Sequence, residues 1–170
     1  MNLAPSWTSA TALVLVAGLF LAACPAAANE GAISFTYSPL TGPSCKTLRN
    51  DEEGGGQTDR CKGFAGLDIE INSGDHSDIL SVVRGGRTLV NGPNEYNTTV
   101  RRKVVEWRYR GSPSTPTVTA LILRMDTHGE RKSKSRLFVL RLTGRACLLG
   151  SAHSNEAARK LADDLGRACP

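Results

Sequence analysis

The chain has 170 residues, and its first 28 residues carry no charged side chain. Residues 29–170 therefore hold all 21 Lys/Arg and all 16 Asp/Glu residues, a formal net charge of +5, and are long enough for one domain with a modest core. The hydrophobic content of 40% excludes a wholly disordered chain, and no apolar run beyond the start approaches the ~20 residues of a membrane span.

The start of the chain has most features of a bacterial export signal. Residues 11–24 form an apolar run that is too short to span a bilayer, and small residues follow it. The segment lacks the Lys or Arg that usually precedes such a run. We expect residues 1–28 to be a signal peptide and residues 29–170 to be a single exported domain.

Two cleavage routes are open for this signal. Ala26, Ala27 and Ala28 satisfy the small-x-small rule of ordinary signal peptidase. The run from Leu21 to Cys24 instead resembles a lipobox, in which Cys24 would carry a lipid and anchor the protein to a membrane. We favour the first route, because Pro25 directly after the cysteine is unusual for a lipoprotein.

Short apolar or alternating runs between turn residues predict β-strands. The polar segment 126–135 is predicted to be the longest hairpin loop. Trp107 is expected in the core, because it alternates with Glu106 and Arg108 along its strand. The predicted strands are residues 32–37, 67–71, 79–83, 103–110, 117–125, 136–142 and 146–149.

Near the C-terminus, the spacing of the apolar residues changes from that of a strand to that of a helix. From Asn155 to Ala168 the apolar residues have the spacing of an amphipathic helix, and Ser154 or Asn155 can cap it. We therefore predict an α+β fold, in which one C-terminal amphipathic helix packs on an antiparallel sheet of about six strands, with two disulfides.

Four cysteines remain once Cys24 is set aside, and an even number in an exported chain implies two disulfides. Three connectivities are possible. We favour Cys45–Cys61 and Cys147–Cys169, because the members of each pair are close in sequence, and because Cys169 would lie on the buried face of the helix, facing the strand of Cys147. No metal and no cofactor is expected, since the spacings fit no common zinc pattern.

One pattern extends over nearly all of residues 29–170. It comprises Cys45, residues 51–55, residues 60–66, residues 105–108, residues 120–124, and a C-terminal set of Cys147, Asn155, Ala157, Arg159, Ala162, Asp163 and Cys169. This pattern resembles an uncharacterised group of small exported, disulfide-containing proteins of Gram-negative bacteria. The resemblance implies export and a common fold, and it implies no activity.

Charge is divided unevenly along the chain. Residues 29–98 carry 6 basic and 10 acidic side chains, whereas residues 99–170 carry 15 basic and 6 acidic side chains. The acidic side chains include Asp51, Glu52, Glu53 and Asp59, which form either a plain solvated loop, the interpretation we favour, or a candidate docking loop for a cationic partner. A calcium site is disfavoured there, because the alternating ligand spacing of an EF-hand is absent.

The candidate basic surface is the predicted tip with Arg131, Lys132, Lys134 and Arg136. These charges either serve solubility alone or bind an anionic surface, for which anionic lipid headgroups or lipopolysaccharide phosphates are suitable partners in an envelope protein. Nucleic acid is not expected, because no base-stacking aromatic residues interleave with these charges. Contact with a membrane is expected only through a lipid on Cys24 or through peripheral binding.

No catalytic residue is assigned. Asp75, His76, Ser77 and Asp78 are consecutive in a predicted turn, whereas triad members come from separated elements. The leading hypothesis is an exported non-enzymatic envelope protein that binds an unknown protein or an anionic envelope component, in its most specific form an inhibitor of a cell-wall lytic enzyme. The alternatives are a small periplasmic hydrolase, with His76 or His153 as base, and a surface lipoprotein anchored through Cys24.

Overall fold

The computed structural model describes residues 31–51, 54–95, 97–100, 104–128 and 133–170. These residues form eleven strands, a 3-10 turn at Gly42–Ser44 and one α-helix. The strands are β1 (Ser34–Pro39), β2 (Cys45–Asp51), β3 (Gly56–Lys62), β4 (Asp68–Ser73), β5 (Asp78–Arg84), β6 (Arg87–Asn91), β7 (Thr98–Val100), β8 (Val104–Arg110), β9 (Thr117–His128), β10 (Ser133–Arg141) and β11 (Cys147–Ala152), and the helix α1 spans Asn155–Asp163.

The strands form two antiparallel sheets. One has the order β1-β8-β9-β10-β11, with β7 also paired to β9, and the other is the meander β2-β3-β4-β5-β6. The predicted antiparallel sheet structure, the C-terminal helix and the two disulfides are confirmed. The prediction of one sheet with about six strands is wrong, because the described residues contain two sheets.

Two hydrophobic cores separate three layers. The main core lies between the sheets and contains Ile69, Leu80 and Val82 from one sheet and Trp107, Leu121 and Leu140 from the other. The second core lies between the six-stranded sheet and α1, and it includes Ile122, Val139, Leu149, Ala158 and Ala162. The six-stranded sheet is therefore buried on both faces, which is why β9 has a nearly continuous run of buried residues.

Strands β2, β3, β6 and β7 were not predicted from the sequence. Strands β2 (CKTLRND) and β3 (GQTDRCK) have no alternating apolar pattern, so the hydrophobic period gives no signal for them. Their partners hold them instead: β2 pairs with β3 across the Cys45–Cys61 disulfide, and β3 pairs with β4.

The predicted loop at 126–135 is shorter than expected. Strand β9 continues to His128 and β10 begins at Ser133, and Asp126 is paired with Ser135. This end of β9 is held by backbone pairing on both sides, with β10 and with β7, although Asp126 itself is buried.

The helix ends earlier than predicted. It begins after Ser154, whose hydroxyl oxygen accepts a hydrogen bond from the Ala157 amide at 3.1 Å, and it ends at Asp163 rather than Ala168. The backbone leaves the helical conformation at Asp164, where φ is −76° and ψ is 84°, and Ala168 beyond it is exposed. The chain turns after Asp163 and brings Cys169 to Cys147, with the two Cα atoms 6.0 Å apart. The predicted pairing is confirmed, but Cys169 does not lie on the helix.

Trp107 is at the centre of the main core. Its side chain is 0% exposed, and its indole Nε1 donates a hydrogen bond to Ser38 Oγ at 3.0 Å. The ring packs so closely on Gly63 that a Cβ atom there would lie 2.5 Å from Trp107 Cζ2. Trp107 is thus a core residue, as its strand alternation predicted.

We expect Trp107→Ala to lower the free energy of unfolding by about 3–5 kcal/mol, because a large cavity replaces the indole ring. Leu48→Ala is the matched control, since that side chain is 49% exposed, and it should have little effect. Chemical denaturation followed by circular dichroism measures both. Equal stability of the Trp107→Ala variant and the wild type would show that Trp107 does not hold the two sheets together.

Candidate functional site

A cluster of charged and aromatic side chains lies on the helix side of the six-stranded sheet. Two residues along a strand advance by about 6.6 Å, and four residues along a helix by about 6 Å. Glu106 and Arg108 on β8 therefore have nearly the same spacing as Arg159 and Asp163 on α1. Each strand residue meets a helix residue of opposite charge.

Glu106 is the centre of this cluster. Arg159 donates through Nε to Glu106 Oε1 and through Nη2 to Oε2, both at 2.9 Å. The Tyr37 hydroxyl donates to Oε2 and Arg108 Nη1 donates to Oε1, both at 3.1 Å. Four donors thus occupy a carboxylate that is almost completely buried.

Arg108 is buried as well, with only 6% of its surface exposed. Its Nε and Nη2 atoms donate to the two carboxylate oxygens of Asp163, at 2.9 and 2.6 Å, while Nη1 binds Glu106. A buried guanidinium is stable only when it is paired in this way. The charged face of β8 is therefore an internal contact with α1 and not a solvent-exposed face.

Phe35 packs on the two arginines. The guanidinium carbons of Arg108 and Arg159 lie 5.7 and 5.1 Å from the Phe35 ring centroid, within range of a cation–π interaction. The Tyr37 ring packs edge-on against Phe35, with the centroids 5.6 Å apart. Both rings are half exposed, so the cluster presents aromatic surface to the solvent.

Electrostatics keep Glu106 ionised. Burial raises the pKa of Glu106, but hydrogen bonds from Arg159 and Tyr37 and the charges of Arg159 and Arg108 outweigh burial and hold the pKa below its ordinary value of 4.5. The hydrogen bonds and charge of Glu106 likewise raise the pKa of Arg159. A carboxylate in this state is a poor general acid or base near neutral pH.

A groove of about 390 Å³ opens beside the cluster. Its floor is formed by Ile122 and Leu137, which are buried apolar residues, and its walls include Tyr37, Val104, Arg124 and Asn155. Arg124 bonds to two neutral oxygens, Ser135 Oγ at 3.1 Å and Asn155 Oδ1 at 3.2 Å. An apolar floor with a few fixed polar groups at the rim is typical of a binding site.

The structure divides the predicted basic surface. Lys134 is exposed on β10, whereas Arg136 is half-buried and its Nε atom has no hydrogen-bond partner among the described residues. Arg136 shares a strand face with the core residues Phe138 and Leu140, so it lies at the end of the sandwich and not on a loop. Arg131 and Lys132 lie outside the described residues.

The predicted acidic loop is largely a hairpin. Asp51 is the last residue of β2, and Asp59 lies within β3. The Asp59 carboxylate accepts hydrogen bonds from Thr47 Oγ1 and Gln57 Nε2, both at 2.7 Å. Glu52 and Glu53 lie outside the described residues, as do Cys24 and the whole of the predicted signal peptide.

The three histidines lie at separate places in the described part of the chain: His76 in a turn, His128 at the end of β9 and His153 before the helix cap. Asp75, His76 and Ser77 form the turn between β4 and β5, and the Asp78 carboxylate accepts a hydrogen bond from the Val100 amide at 2.8 Å. His153 is exposed directly before the helix cap. The described residues contain no group of His, Cys, Asp and Glu side chains arranged to hold a metal ion, and their single helix is too short to cross a membrane.

The cluster is not among the candidate sites predicted from the sequence. Glu106 and Arg108 share one face of a predicted strand, and the predicted helix includes Arg159 and Asp163, but the strand pattern and the helix pattern do not by themselves connect the two pairs. The available signal was the matched spacing: a Glu–Arg pair two residues apart in a strand and an Arg–Asp pair four residues apart in a helix.

We expect the cluster to make folding sensitive to acid. The folded-state pKa of Glu106 lies below its unfolded value, so its contribution to stability is present above that unfolded value and is lost as the pH falls through the folded-state pKa. Glu106→Gln should lower the free energy of unfolding by about 1–3 kcal/mol at pH 7. The variant's free energy of unfolding should also depend less on pH below pH ~5. Urea denaturation at several pH values measures both effects.

Glu70→Gln is the control for this prediction, since Glu70 pairs with Arg60 on the outer face of the five-stranded sheet, where both side chains are partly exposed. Its effect should stay below about 1 kcal/mol. Equal losses in the two variants would contradict a special role of the Glu106 cluster.

Comparisons with protein-family models, with curated proteins and with solved structures find no match for this chain.

Proposed function

We propose that this protein is an exported, non-enzymatic binding protein of the bacterial envelope, which recognises another macromolecule through the groove beside the charged cluster. The two disulfides indicate a non-cytoplasmic location. Removal of residues 1–28 and release into the periplasm fit the uncharged apolar start of the chain.

The observation that carries the proposal is the grouping of exposed apolar surface around the groove. Phe35, Tyr37 and Val104 are 50%, 51% and 43% exposed, and they are three of the five large hydrophobic side chains exposed among the described residues. Contiguous exposed apolar surface on a soluble domain marks an interaction site. Aromatic residues and arginine are also the side chains that contribute most to protein–protein binding energy.

The chemistry of the cluster supports binding rather than catalysis. Glu106 is ionised and fully hydrogen bonded, and both carboxylate oxygens of Asp163 accept from Arg108. These contacts leave no carboxyl group of the cluster free to exchange a proton. They do fix Phe35 and Tyr37, and a preset surface loses little conformational entropy when a partner binds.

Inhibition of a cell-wall lytic enzyme is the most specific form of this proposal. It rests on analogy, since small disulfide-stapled β proteins of the periplasm include such inhibitors. The groove can accept an apolar side chain of the enzyme on Ile122 and Leu137, with Arg124 and Asn155 at the rim.

Binding to an anionic surface is a second candidate, favoured by the excess of basic residues in 99–170. The exposed Lys134 belongs to this part of the chain. Flotation with anionic vesicles at low and high salt tests it, because exposed charges are screened over a Debye length of about 8 Å near physiological ionic strength. Flotation that is independent of salt would count against it.

We expect the processed protein to inhibit at least one of a panel of lysozymes and lytic transglycosylases in a peptidoglycan clearing assay. Val104→Asp should weaken inhibition at least about tenfold, because it places a charge at the apolar groove. Leu48→Asp is the matched control: it adds the same charge to a similarly exposed strand position on the other sheet and should leave inhibition unchanged.

Two results would overturn the proposed function. Hydrolysis of ester or peptidoglycan substrates by the purified protein, abolished in His76→Ala or His153→Ala, would favour the hydrolase alternative. Equal inhibition by the Val104→Asp and Leu48→Asp variants would place the binding surface elsewhere. Intact-mass analysis of the same preparation separates the cleaved protein from a lipoprotein that carries a diacylglyceryl group on Cys24.

A further inference from the structure

Strand β1 is an edge of the six-stranded sheet. It pairs with β8 on one side, and no strand of the described residues pairs with its other side. An edge strand offers a row of backbone donors and acceptors to any extended chain. Folded proteins usually block such edges with charged side chains, bulges or short strands.

Among the described residues, the edges formed by β2, β6 and β11 carry such protections, and β7 is only three residues long. Strand β2 contains Lys46 and Arg49 and has a register shift in its pairing with β3. Strand β6 has only five residues, begins with Arg87 and is also shifted against its neighbour. Strand β11 is shifted against β10 and includes Gly150 at a positive φ. Each of these features interferes with regular pairing to a further strand.

Strand β1 lacks all of them. Its sequence, SFTYSP, contains no charged residue, its register with β8 is unbroken over six residues, and its one proline is the last residue. Phe35 and Tyr37 project from it half exposed on the helix side of the sheet. An edge that is regular, uncharged and carries two half-exposed aromatic side chains is open to pairing.

We propose that β1 pairs antiparallel with β1 of a second copy of this chain, so that the two six-stranded sheets join across a two-fold axis. In an antiparallel pair, two directly opposed residues are alike: either both direct their N–H and C=O groups towards the other strand, or both direct them away from it. Neighbouring residues of one strand direct these groups to opposite sides, so a residue cannot lie opposite its own neighbour in the second copy. The two-fold axis therefore passes through a position at which a residue lies opposite itself.

The side chains select Thr36 as the residue on the axis. With Thr36 opposite itself, Phe35 of each copy faces Tyr37 of the other on the same face of the sheet. Axes at Phe35 or at Tyr37 would leave one aromatic residue of each copy without an aromatic partner. Cross-strand aromatic pairs contribute to sheet stability, so the Thr36 register is the favoured one.

Charge also permits this pairing between identical edges. The cationic side chains nearest to Phe35 are Arg108 and Arg159, and both are paired with Asp163 and Glu106. Two copies therefore bring together neutral surfaces, whereas self-association through β2 would place Lys46 and Arg49 of each copy near those of the other.

The dimer would place both helices on the same face of the joined sheet, because a two-fold axis perpendicular to a sheet keeps each face on its own side. The groove floors, which lie on β9 and β10, would remain open, whereas Phe35 and Tyr37 of each copy would face the other copy. Two grooves would then be presented side by side to one partner or to two.

Sedimentation velocity of the processed protein, from low micromolar to near-millimolar concentration, tests for the dimer. We expect a monomer–dimer equilibrium that salt does not weaken, and a loss of dimer in Phe35→Lys and Tyr37→Lys. Leu89→Lys is the matched control on the other sheet and should leave the dimer intact. A protein that is monomeric at every concentration would overturn the proposal.

Disulfide trapping tests the register. In Thr36→Cys the two new cysteines face each other with Cα atoms about 4.5–5.5 Å apart, within disulfide range, so oxidation should yield a covalent dimer. In Ser34→Cys they would lie about 14 Å apart and should not link. Cross-linking of both variants to the same extent would contradict the Thr36 register.

A second trapping experiment leaves Thr36 unchanged. Phe35→Cys and Tyr37→Cys chains should form a mixed disulfide dimer when they are combined, and neither should link efficiently to itself. Self-linking of Tyr37→Cys in place of the mixed dimer would move the axis to Tyr37 and overturn the proposed register.

Discussion

Two ion pairs between β8 and α1 determine how the helix side of this protein is arranged. The spacing between Glu106 and Arg108 on the strand matches the spacing between Arg159 and Asp163 on the helix, and each strand charge lies opposite a helix charge of the other sign. The helix therefore has one position along the strand in which both pairs form. That position sets Asn155 as a wall of the groove and places the two guanidiniums on Phe35. The small residues Ala158 and Ala162 provide the close packing, and the charges provide the register.

The two faces of the six-stranded sheet are held in different ways. Towards the other sheet, Trp107 and its apolar neighbours form a continuous core, in which burial of surface supplies most of the stability. Towards the helix, the core is smaller and a buried polar network completes the contact. Such a network adds little stability compared with an apolar contact, but breaking it leaves buried charges unpaired. The network therefore favours one arrangement of the helix on the sheet.

The sequence predicts the elements that have a strong hydrophobic period. Strands β8, β9 and β10, the start of α1 and both disulfides follow from alternation, capping and cysteine spacing. Strands β2 and β3 do not, because their stability comes from pairing and from a disulfide rather than from apolar side chains. The cluster also needed tertiary information: the charges of β8 resemble a solvated face until a helix some 50 residues later is known to cover them.

The connectivity of the cysteines bears on how an exported chain would oxidise. Each disulfide joins two cysteines that are neighbours in the order of the described chain, first 45 with 61 and then 147 with 169. A chain that crosses a membrane from its N-terminus exposes them in that order, so an oxidase acting on each pair as it emerges makes the native bonds without reshuffling. Cys24 would precede them all. Its removal with the predicted signal peptide, or a lipid on its sulfur, would eliminate a thiol that could otherwise compete for Cys45.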